Sequence, residues 1–412
     1  MKKPELLAPV GSFESLHAAI RAGADAIYFG VEQLNMRTKS VPMITIEDIA
    51  EVAQICHDND IKAYLTLNTV MYDHDMQLAG RIIKTCKAHG IHAVIASDYA
   101  VFGLCREYDM PLHISTQANV SNIESVAFFA GMADVIVLSR ELTLKQVAHI
   151  TAEAERRNIR GVSGQLMKIE AFVHGALCMA VSGKCYMSLH EKNASANRGA
   201  CVQNCRRPYK VTDLETGNEM VIDDEYIMSP KDLCTIDFID QMIEAGIDVF
   251  KIEGRSKSAE YVYTTTQCYR EAIDAVMDGT YNQEKITVWM EALEKVYNRG
   301  FWGGYFMGKK LGEWSKIPGS IATEKKVYIA RCTKYYPKIQ VAEFTIESGQ
   351  IKAGDLLLVL GRNTGSDKIT LDALMVNGNQ AEAATRGDKI TFPFKQPLRS
   401  GDKLYKLIAE NA

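Results

Sequence analysis

Cys178, Cys185, Cys201 and Cys205 fall within 28 consecutive positions, in company with Gly175, Gly183 and Gly199. Thiolates hold a metal when several converge on one point from different turns of the chain, and glycine lets the backbone fold tightly enough for that. The spacing is C-x6-C, then fifteen residues, then C-x3-C. Zinc sites pair their ligands closely at both ends. Only the second pair approaches that form, so the wide first pair points to the larger iron–sulfur core. Lys184, Arg198, Arg206 and Arg207 supply positive charge to offset an anionic thiolate centre. Zinc and free core cysteines stay open as alternatives, although core cysteines belong in apolar periodic runs and this segment is polar. Cys234, in Lys231-Asp232-Leu233-Cys234 at the expected start of a helix, is a reserve ligand whose plainer role is packing.

The elements that must position these thiols alternate regularly. Glu5–Pro9, Ala26–Gly30, Lys62–Leu67, Ala93–Ala96, Leu112–Ser115 and Val135–Leu138 read as short strands. Amphipathic helical stretches such as Leu78–His89 and Leu144–Arg157 separate them, and Ser12 caps the first helix. Strand–helix repetition means parallel strands, and their number favours a closed TIM-like (β/α) barrel over an open sheet. From about 175 to 220 the rhythm breaks into a polar, cysteine-rich insert with no helical or strand period, a length of irregular chain that is usually functional. It resumes with the expected helix Ile236–Gly246, the strand Val249–Ile252 and the helices Glu260–Met277 and Gln283–Tyr297. From Lys325, short alternating runs (Val327–Lys334, Lys338–Phe344, Asp355–Leu360, Ile369–Val376, Lys389–Phe392) predict a small all-β barrel. The expected domains are therefore a barrel over 1–310 carrying the insert 175–220, and a C-terminal β-barrel over 325–412.

Barrel enzymes keep their reactive groups at the C-terminal ends of the strands. Glu170 and His174 flank the cysteine insert there, as candidates for proton transfer or substrate orientation, against a structural histidine bonded to backbone. Lys251, Glu253 and Arg255 follow another strand. A Lys/Arg pair can grip carboxylates, the plainer reading being an internal Glu–Arg pair. Asn68, Ser115, Gln117 and Arg140 complete a polar mouth, while Asp25 and Tyr28 read as βα packing.

A net charge of −4 excludes a uniformly basic nucleic-acid coat. A local basic surface is compatible with it: Arg206, Arg207, Lys210 and Lys257, with Lys325, Lys326, Arg331, Lys334 and Lys338 interleaved with Tyr335 and Tyr336, could hold RNA phosphates and stack a base. An ordinary solvated face is the equal alternative. No run approaches the roughly 20 apolar residues of a membrane span, and the N-terminus has no signal-peptide core. A cytoplasmic protein with reduced thiols and no membrane association is expected.

The runs Glu170-Ala171-Phe172-Val173-His174-Gly175-Ala176-Leu177-Cys178 and Ser182-Gly183-Lys184-Cys185-Tyr186-Met187-Ser188 resemble the signature of the collagenase-like peptidase family. So do Asn197-Arg198-Gly199-Ala200-Cys201 with Cys205-Arg206, Lys251-Ile252-Glu253-Gly254-Arg255, and the opening Leu7-Ala8-Pro9-Val10-Gly11 with Gly23–Gly30. The likeness extends over nearly the whole chain. It implies RNA chemistry more than proteolysis, since the family includes proteins for 5-hydroxylation of tRNA wobble uridine, in which prephenate is the implied oxygen source, and the oxygen-independent ubiquinone hydroxylation pair. The resemblance to that pair implies a [4Fe–4S] cluster on Cys178, Cys185, Cys201 and a fourth thiol, Cys205 or, as in a member whose fourth ligand lies downstream, Cys234.

On this reading the chain is an iron–sulfur tRNA hydroxylase. Lys251 and Arg255 would hold the carboxylates of prephenate, tRNA is the partner, and a paralogous partner subunit is possible. The C-terminal unit is similar to small β-barrels of RNA-associated factors. Two alternatives remain: a collagenase-like peptidase, and an iron–sulfur accessory scaffold for another hydroxylation. His190-Glu191 lacks the second histidine of a metalloprotease helix, and no G-x-S-x-G elbow occurs. A thiolate activated near His174 stays open, though four clustered thiols suit metal capture better than a single nucleophile.

Overall fold

A computed structural model of the chain describes residues 2–36, 44–207, 209–222, 228–308, 312–315, 317 and 319–410, with backbone alone at 209–211 and 219–222. Strands β1 (Glu5–Pro9), β2 (Ala26–Phe29), β3 (Lys62–Leu67), β4 (Ala93–Ala96), β5 (Leu112–Ile114), β6 (Val135–Val137) and β7 (Lys168–Gly175) run parallel in sequence order. After the hairpin β8 (Tyr209–Thr212) and β9 (Glu219–Ile222) and the short β10 (Asp232–Cys234) comes β11 (Val249–Ile252). It pairs with β7 on one side (Phe250↔Ala171) and with β1 on the other (Phe250↔Leu6), closing an eight-strand parallel barrel. The closed barrel expected from the strand count is the observed fold, not an open sheet.

The helices α1 (Phe13–Arg21), α2 (Ile49–Asp58), α3 (Met76–Ala88), α4 (Tyr99–Glu107), α5 (Ile123–Ala130) and α6 (Leu144–Arg156) follow β1 to β6. α1 opens on a capping box between Ser12 and Ser15, and α6 on one between Thr143 and Gln146, so their first amide donors are satisfied by side chains. The strands are covered on both faces and therefore read as continuous apolar runs. Their outward residues join the helices in the main core, while Leu7, Ala26, Tyr28, Tyr64, Ala93, Ile95 and Val249 form a separate cluster in the lumen.

The insert is more ordered than its composition predicts. It contains α7 (Met187–Lys192) and the β8–β9 hairpin, elements too short for a period to register. Cys234 does not open a helix. It ends β10, which runs antiparallel to the end of β7 (Cys234↔His174), and α8 (Ile239–Glu244) starts later. Next come α9 (Ala259–Met277), α10 (Gln283–Lys295) and β12 (Phe301–Trp302), which pairs with β10.

The C-terminal unit comprises β13 (Glu324–Tyr336), β14 (Val341–Ile346), β15 (Gln350–Lys352), β16 (Leu356–Gly361), β17 (Gly365–Thr370), β18 (Leu374–Val376), β19 (Asn379–Ala381), β20 (Ala383–Thr385), β21 (Lys389–Pro393) and β22 (Lys403–Ala409). Eight of these form an antiparallel sheet in the order β17-β16-β22-β13-β14-β21-β18-β19, and β15 pairs with β20. Both layers face one core around Phe344 and Phe392, whose rings stack at 5.3 Å. The run Ile369–Val376 is two strands rather than one. β17 lies against α1, with Arg21 bonding to the Thr364 carbonyl at 2.6 Å, and a Cβ on Gly365 would come within 2.7 Å of the Ala18 nitrogen. Arg362 bonds to Glu51 and lies over the Phe13 ring, which fixes the same face.

Candidate active site

β7 ends at Gly175, and the chain then arches over the strand C-termini as the cysteine loop. Gly175 has φ +103°, and a Cβ there would sit 2.4 Å from the Glu253 carbonyl, so only glycine admits this approach of β7 to the β11 loop. Gly183 has φ +73° and leaves room for the Gln117 side chain, which a Cβ would strike at 1.8 Å. Arg206 fastens the far end of the loop, donating to Ser229 Oγ at 2.9 Å and to the carbonyls of Pro230 and Leu177 at 2.6 and 2.7 Å. Arg198 ties its middle to the barrel through Asp75 at 2.5 Å and lies over the Tyr72 ring.

Cys178, Cys185, Cys201 and Cys205 all line one cavity of about 430 Å³, with Gln117, Arg140, Lys184, Tyr186, Arg206, Glu253, Lys257 and Arg299. Cys178 and Cys201 are exposed to it and Cys185 and Cys205 half-buried. Burial pushes the Cys205 thiol up, the neighbouring Arg206 draws it down, and the other three thiols push it up again. Among the described residues no three His, Cys, Asp or Glu side chains lie close enough to hold one metal ion. Tetrahedral zinc would require its sulfurs within about 4 Å of one another. Four thiols around one cavity, joined there by Lys184 and Arg206, supply the donor type and counter-charge that an iron–sulfur cluster would take. The positive surround is smaller than expected, because Arg198 is committed to Asp75 and Arg207 to Glu191 at 2.9 Å.

Cys234 stands apart from the four. It is buried, its Sγ lies 3.8 Å from Met290 Sδ, and burial raises its thiol to about 12. His174 is likewise turned toward the helices. It packs among Tyr261, Tyr269 and Phe301, bonds through Nδ1 to the Tyr269 hydroxyl at 3.4 Å, and is held neutral by burial, with its pKa lowered to about 3. Neither residue lines the cavity.

Below the cavity the lumen holds a charged pair. Lys251 Nζ lies 2.6 Å from Glu170 Oε1, both essentially inaccessible, with the ammonium over the Tyr28 ring at 4.5 Å. Burial drives both toward neutrality, raising the carboxyl of Glu170 and lowering the amine of Lys251. Arg255, also buried, donates to Thr66 Oγ1 at 2.5 Å and Asn35 Oδ1 at 3.1 Å, and does not line the cavity. Glu253 does, and its Oε2 accepts from the Tyr28 hydroxyl at 3.4 Å. Of the five polar candidates on β7 and the β11 loop, Glu253 alone reaches the cavity wall. Asn68 and Ser115 bond to each other at 3.5 Å, whereas Gln117 and Arg140 line the cavity.

Sequence reasoning places two residues elsewhere. Tyr28 lies inside the lumen, not in βα packing. Lys257, expected on an RNA-facing surface, lines the cavity with Arg299 and with Arg206, the latter beside the thiols as its charge reading expects. No local signal marks Arg299, which reaches the wall only through the closing of the fold. The C-terminal basic group is largely engaged: Lys325 with Glu410, Lys326 with Glu260, and Arg331 with Glu347. The hydroxyls of Tyr335 and Tyr336 bond to the Phe394 carbonyl and Glu343. The side chain of Lys210 lies outside the described residues. Among the described residues no helix is long and apolar enough to cross a membrane.

The profile of Peptidase family U32 matches residues 11–316. A protein of Porphyromonas gingivalis named "Collagenase" is 50% identical over 402 residues, covering 98% of this chain and 97% of that protein. The "tRNA hydroxylation protein P1" of Bacillus subtilis is 34% identical over 314 residues, 74% of this chain and 72% of that protein. The "tRNA hydroxylation protein P" of Escherichia coli is 29% identical over 427 aligned positions, covering 92% and 88% of the two chains.

Proposed function

The chain belongs to Peptidase family U32, and within it we propose an iron–sulfur RNA-modifying enzyme that 5-hydroxylates tRNA wobble uridine with prephenate as co-substrate. The observation that carries the proposal is the convergence of Cys178, Cys185, Cys201 and Cys205 on one cavity at the barrel mouth. Relatives named for tRNA hydroxylation, at 34% and 29% identity, support RNA as the substrate class.

The four thiols would hold a [4Fe–4S] cluster, which supplies an iron centre for Lewis-acid or redox chemistry. The chain's own groups supply the remainder. Tyr186, on the cavity wall and 73% exposed, offers a ring on which a base extruded from the RNA can stack. Glu253, reaching the cavity with its Oε2 held by Tyr28, is the group placed to take or return a proton. Gln117 and Arg140 border the same space and can orient polar substrate atoms. Lys251 and Glu170 act from beneath, fixing β11 against β7 so that Glu253 stays aimed.

Nucleoside mass spectrometry of tRNA from a strain lacking this protein and any paralogue tests the proposal. Loss of 5-hydroxyuridine derivatives, restored by the wild-type chain, is expected, and their persistence defeats it. Proteolysis is the second reading, favoured by the Porphyromonas gingivalis relative named "Collagenase". Among the described residues none of the four cavity thiols has a hydrogen bond to a histidine, and His174 is turned away from them. Cleavage of gelatin abolished by one cysteine substitution that leaves iron unchanged would favour the peptidase.

A further inference from the structure

We propose that Lys257, Arg299 and Arg206 form an anion subsite in the wall of the cavity, and that its ligand is the carboxylate of a small organic acid. The inference deepens the co-substrate part of the proposed function and rests on that reading only for which acid is taken.

Lys257 lies in the turn between β11 and α9, its backbone nitrogen donating to the Gly254 carbonyl at 2.8 Å. Its ammonium lies over the Tyr297 ring, 3.0 Å from the centroid, and has no hydrogen bond or ion pair among the described residues. Arg299, 8% exposed, also approaches Tyr297, at 5.0 Å, and reaches only one Asp232 oxygen, at 3.3 Å. Arg206 comes from the cysteine loop, and all three line the same space. The acidic groups acting on Lys257 are Asp232 and Glu253, so three cations face two carboxylates. A half-buried ammonium resting on an aromatic face and lacking an anionic partner is a site waiting for one.

The depth of the wall selects the ligand. Arg299 is buried, and Arg206 and Lys257 are half-buried, whereas an RNA backbone would meet exposed rim cations such as Lys184 first. A small carboxylic acid can enter and present one planar carboxylate to a guanidinium and an ammonium together. The arrangement also relocates the expected grip on carboxylates, since Lys251 and Arg255 are committed to Glu170, Thr66 and Asn35.

Calorimetric titration of the anaerobically purified full chain with malonate, 2-oxoglutarate and inorganic phosphate tests the subsite. At least one carboxylate should bind, and Lys257→Met should weaken it about 10-fold or more while Lys257→Arg stays within a few-fold, the loss expected for one charged hydrogen bond. If Lys257→Met folds poorly, labelling of Lys257 by acetic anhydride in the wild-type chain replaces it, and the same acid should protect that amine. Binding of phosphate but neither acid would overturn the proposal in favour of an RNA-backbone contact. Failure of both acids to bind or protect, or equal binding to Lys257→Met, would overturn it outright. Lys257-dependent binding in a chain whose loss leaves wobble uridine unchanged would keep the subsite and sink the hydroxylase reading. The converse result would sink the subsite alone.

Discussion

Lys251 and Glu170 are partners across the β7–β11 seam, 2.6 Å apart in the barrel lumen, although 81 residues separate them in the chain. Only one carboxylate oxygen is engaged; Glu170 Oε2 has no partner among the described residues. Removing one member of a buried pair strands the other, at a cost of about 3–5 kcal/mol, whereas replacing both by apolar residues of similar volume is often neutral. Glu170→Gln or Lys251→Met alone should therefore lower stability in urea unfolding by about that amount. The double change Glu170→Leu with Lys251→Met should recover most of it. Additive losses would show that the pair is not coupled.

The cysteines separate cleanly by position. Ala at Cys178, Cys185, Cys201 or Cys205 should reduce iron and sulfide in anaerobically purified protein, while Cys234→Ala should leave both intact. Cys234 packs against Met290, so its change should appear as a small loss of stability from a minor core void. Iron unchanged after substitution at all four positions would rule out the cluster. Removal of iron by a chelator should loosen the loop, read as faster proteolysis between 178 and 205, because metal binding and local order are coupled.

Tyr186 tests the RNA reading without touching the thiols. Base stacking on an aromatic ring contributes about 1–3 kcal/mol per base. Tyr186→Ala should weaken tRNA binding by that amount and leave iron content and thermal stability unchanged, since the ring is 73% exposed. Tyr186→Phe keeps the π-face and should retain binding. Equal affinity for wild type and Tyr186→Ala would remove the ring from the RNA path.

Arg255 carries the opposite expectation. Its Nη1 bonds to Thr66 and Asn35, and it joins the β11 loop to β3 and to the segment after β2. Arg255→Lys cannot reproduce the planar fork, and a lost hydrogen bond to a charged group costs about 1.5–3 kcal/mol. Thermal unfolding should show that loss, with carboxylate affinity unaltered. A fall in carboxylate affinity at unchanged stability would return Arg255 to the substrate.

The barrel was legible because β1 to β6 and α1 to α6 repeat one pattern of apolar strand and amphipathic helix, and periodicity is a local property. The cysteine quartet was legible for the same reason: its members crowd into one segment. The cavity wall was not. Lys257 and Arg299 come from separate stretches and meet Arg206 of the cysteine loop only when β11, β12 and the loop close on one another. His174 misleads because strand alternation puts it on the lumen face with Glu170, whereas the register shift between Lys251 and Ile252 turns its ring to α9. Glu170 and Lys251 were both singled out, but as ligands of something else rather than of each other. Single-sequence reasoning sees residue type and spacing, and the pairing of distant charges is invisible to it.

The charge state of Lys257 provides a last test, through pH. Burial comes first in lowering its amine, to about 7; Arg299 and Arg206 add to the shift, Asp232 and Glu253 oppose it, and Tyr297 and Tyr261 close the remaining sides. An amine depressed in the folded chain relative to about 10.4 in the unfolded chain binds fewer protons when folded between those two values. Stability must then rise as pH increases from about 7 toward 10, because in that window the unfolded chain holds the extra proton. Lys257→Met should flatten that part of the profile and raise stability near pH 7 by a few kcal/mol at most. A bound carboxylate supplies the missing counter-charge, restores the amine toward its ordinary range, and should flatten the wild-type profile in the same way. Urea unfolding at pH 6.5, 8 and 9.5, with and without the acid that binds best, measures all three curves. A wild-type profile already flat above pH 7 would show that Lys257 is not desolvated in the folded chain.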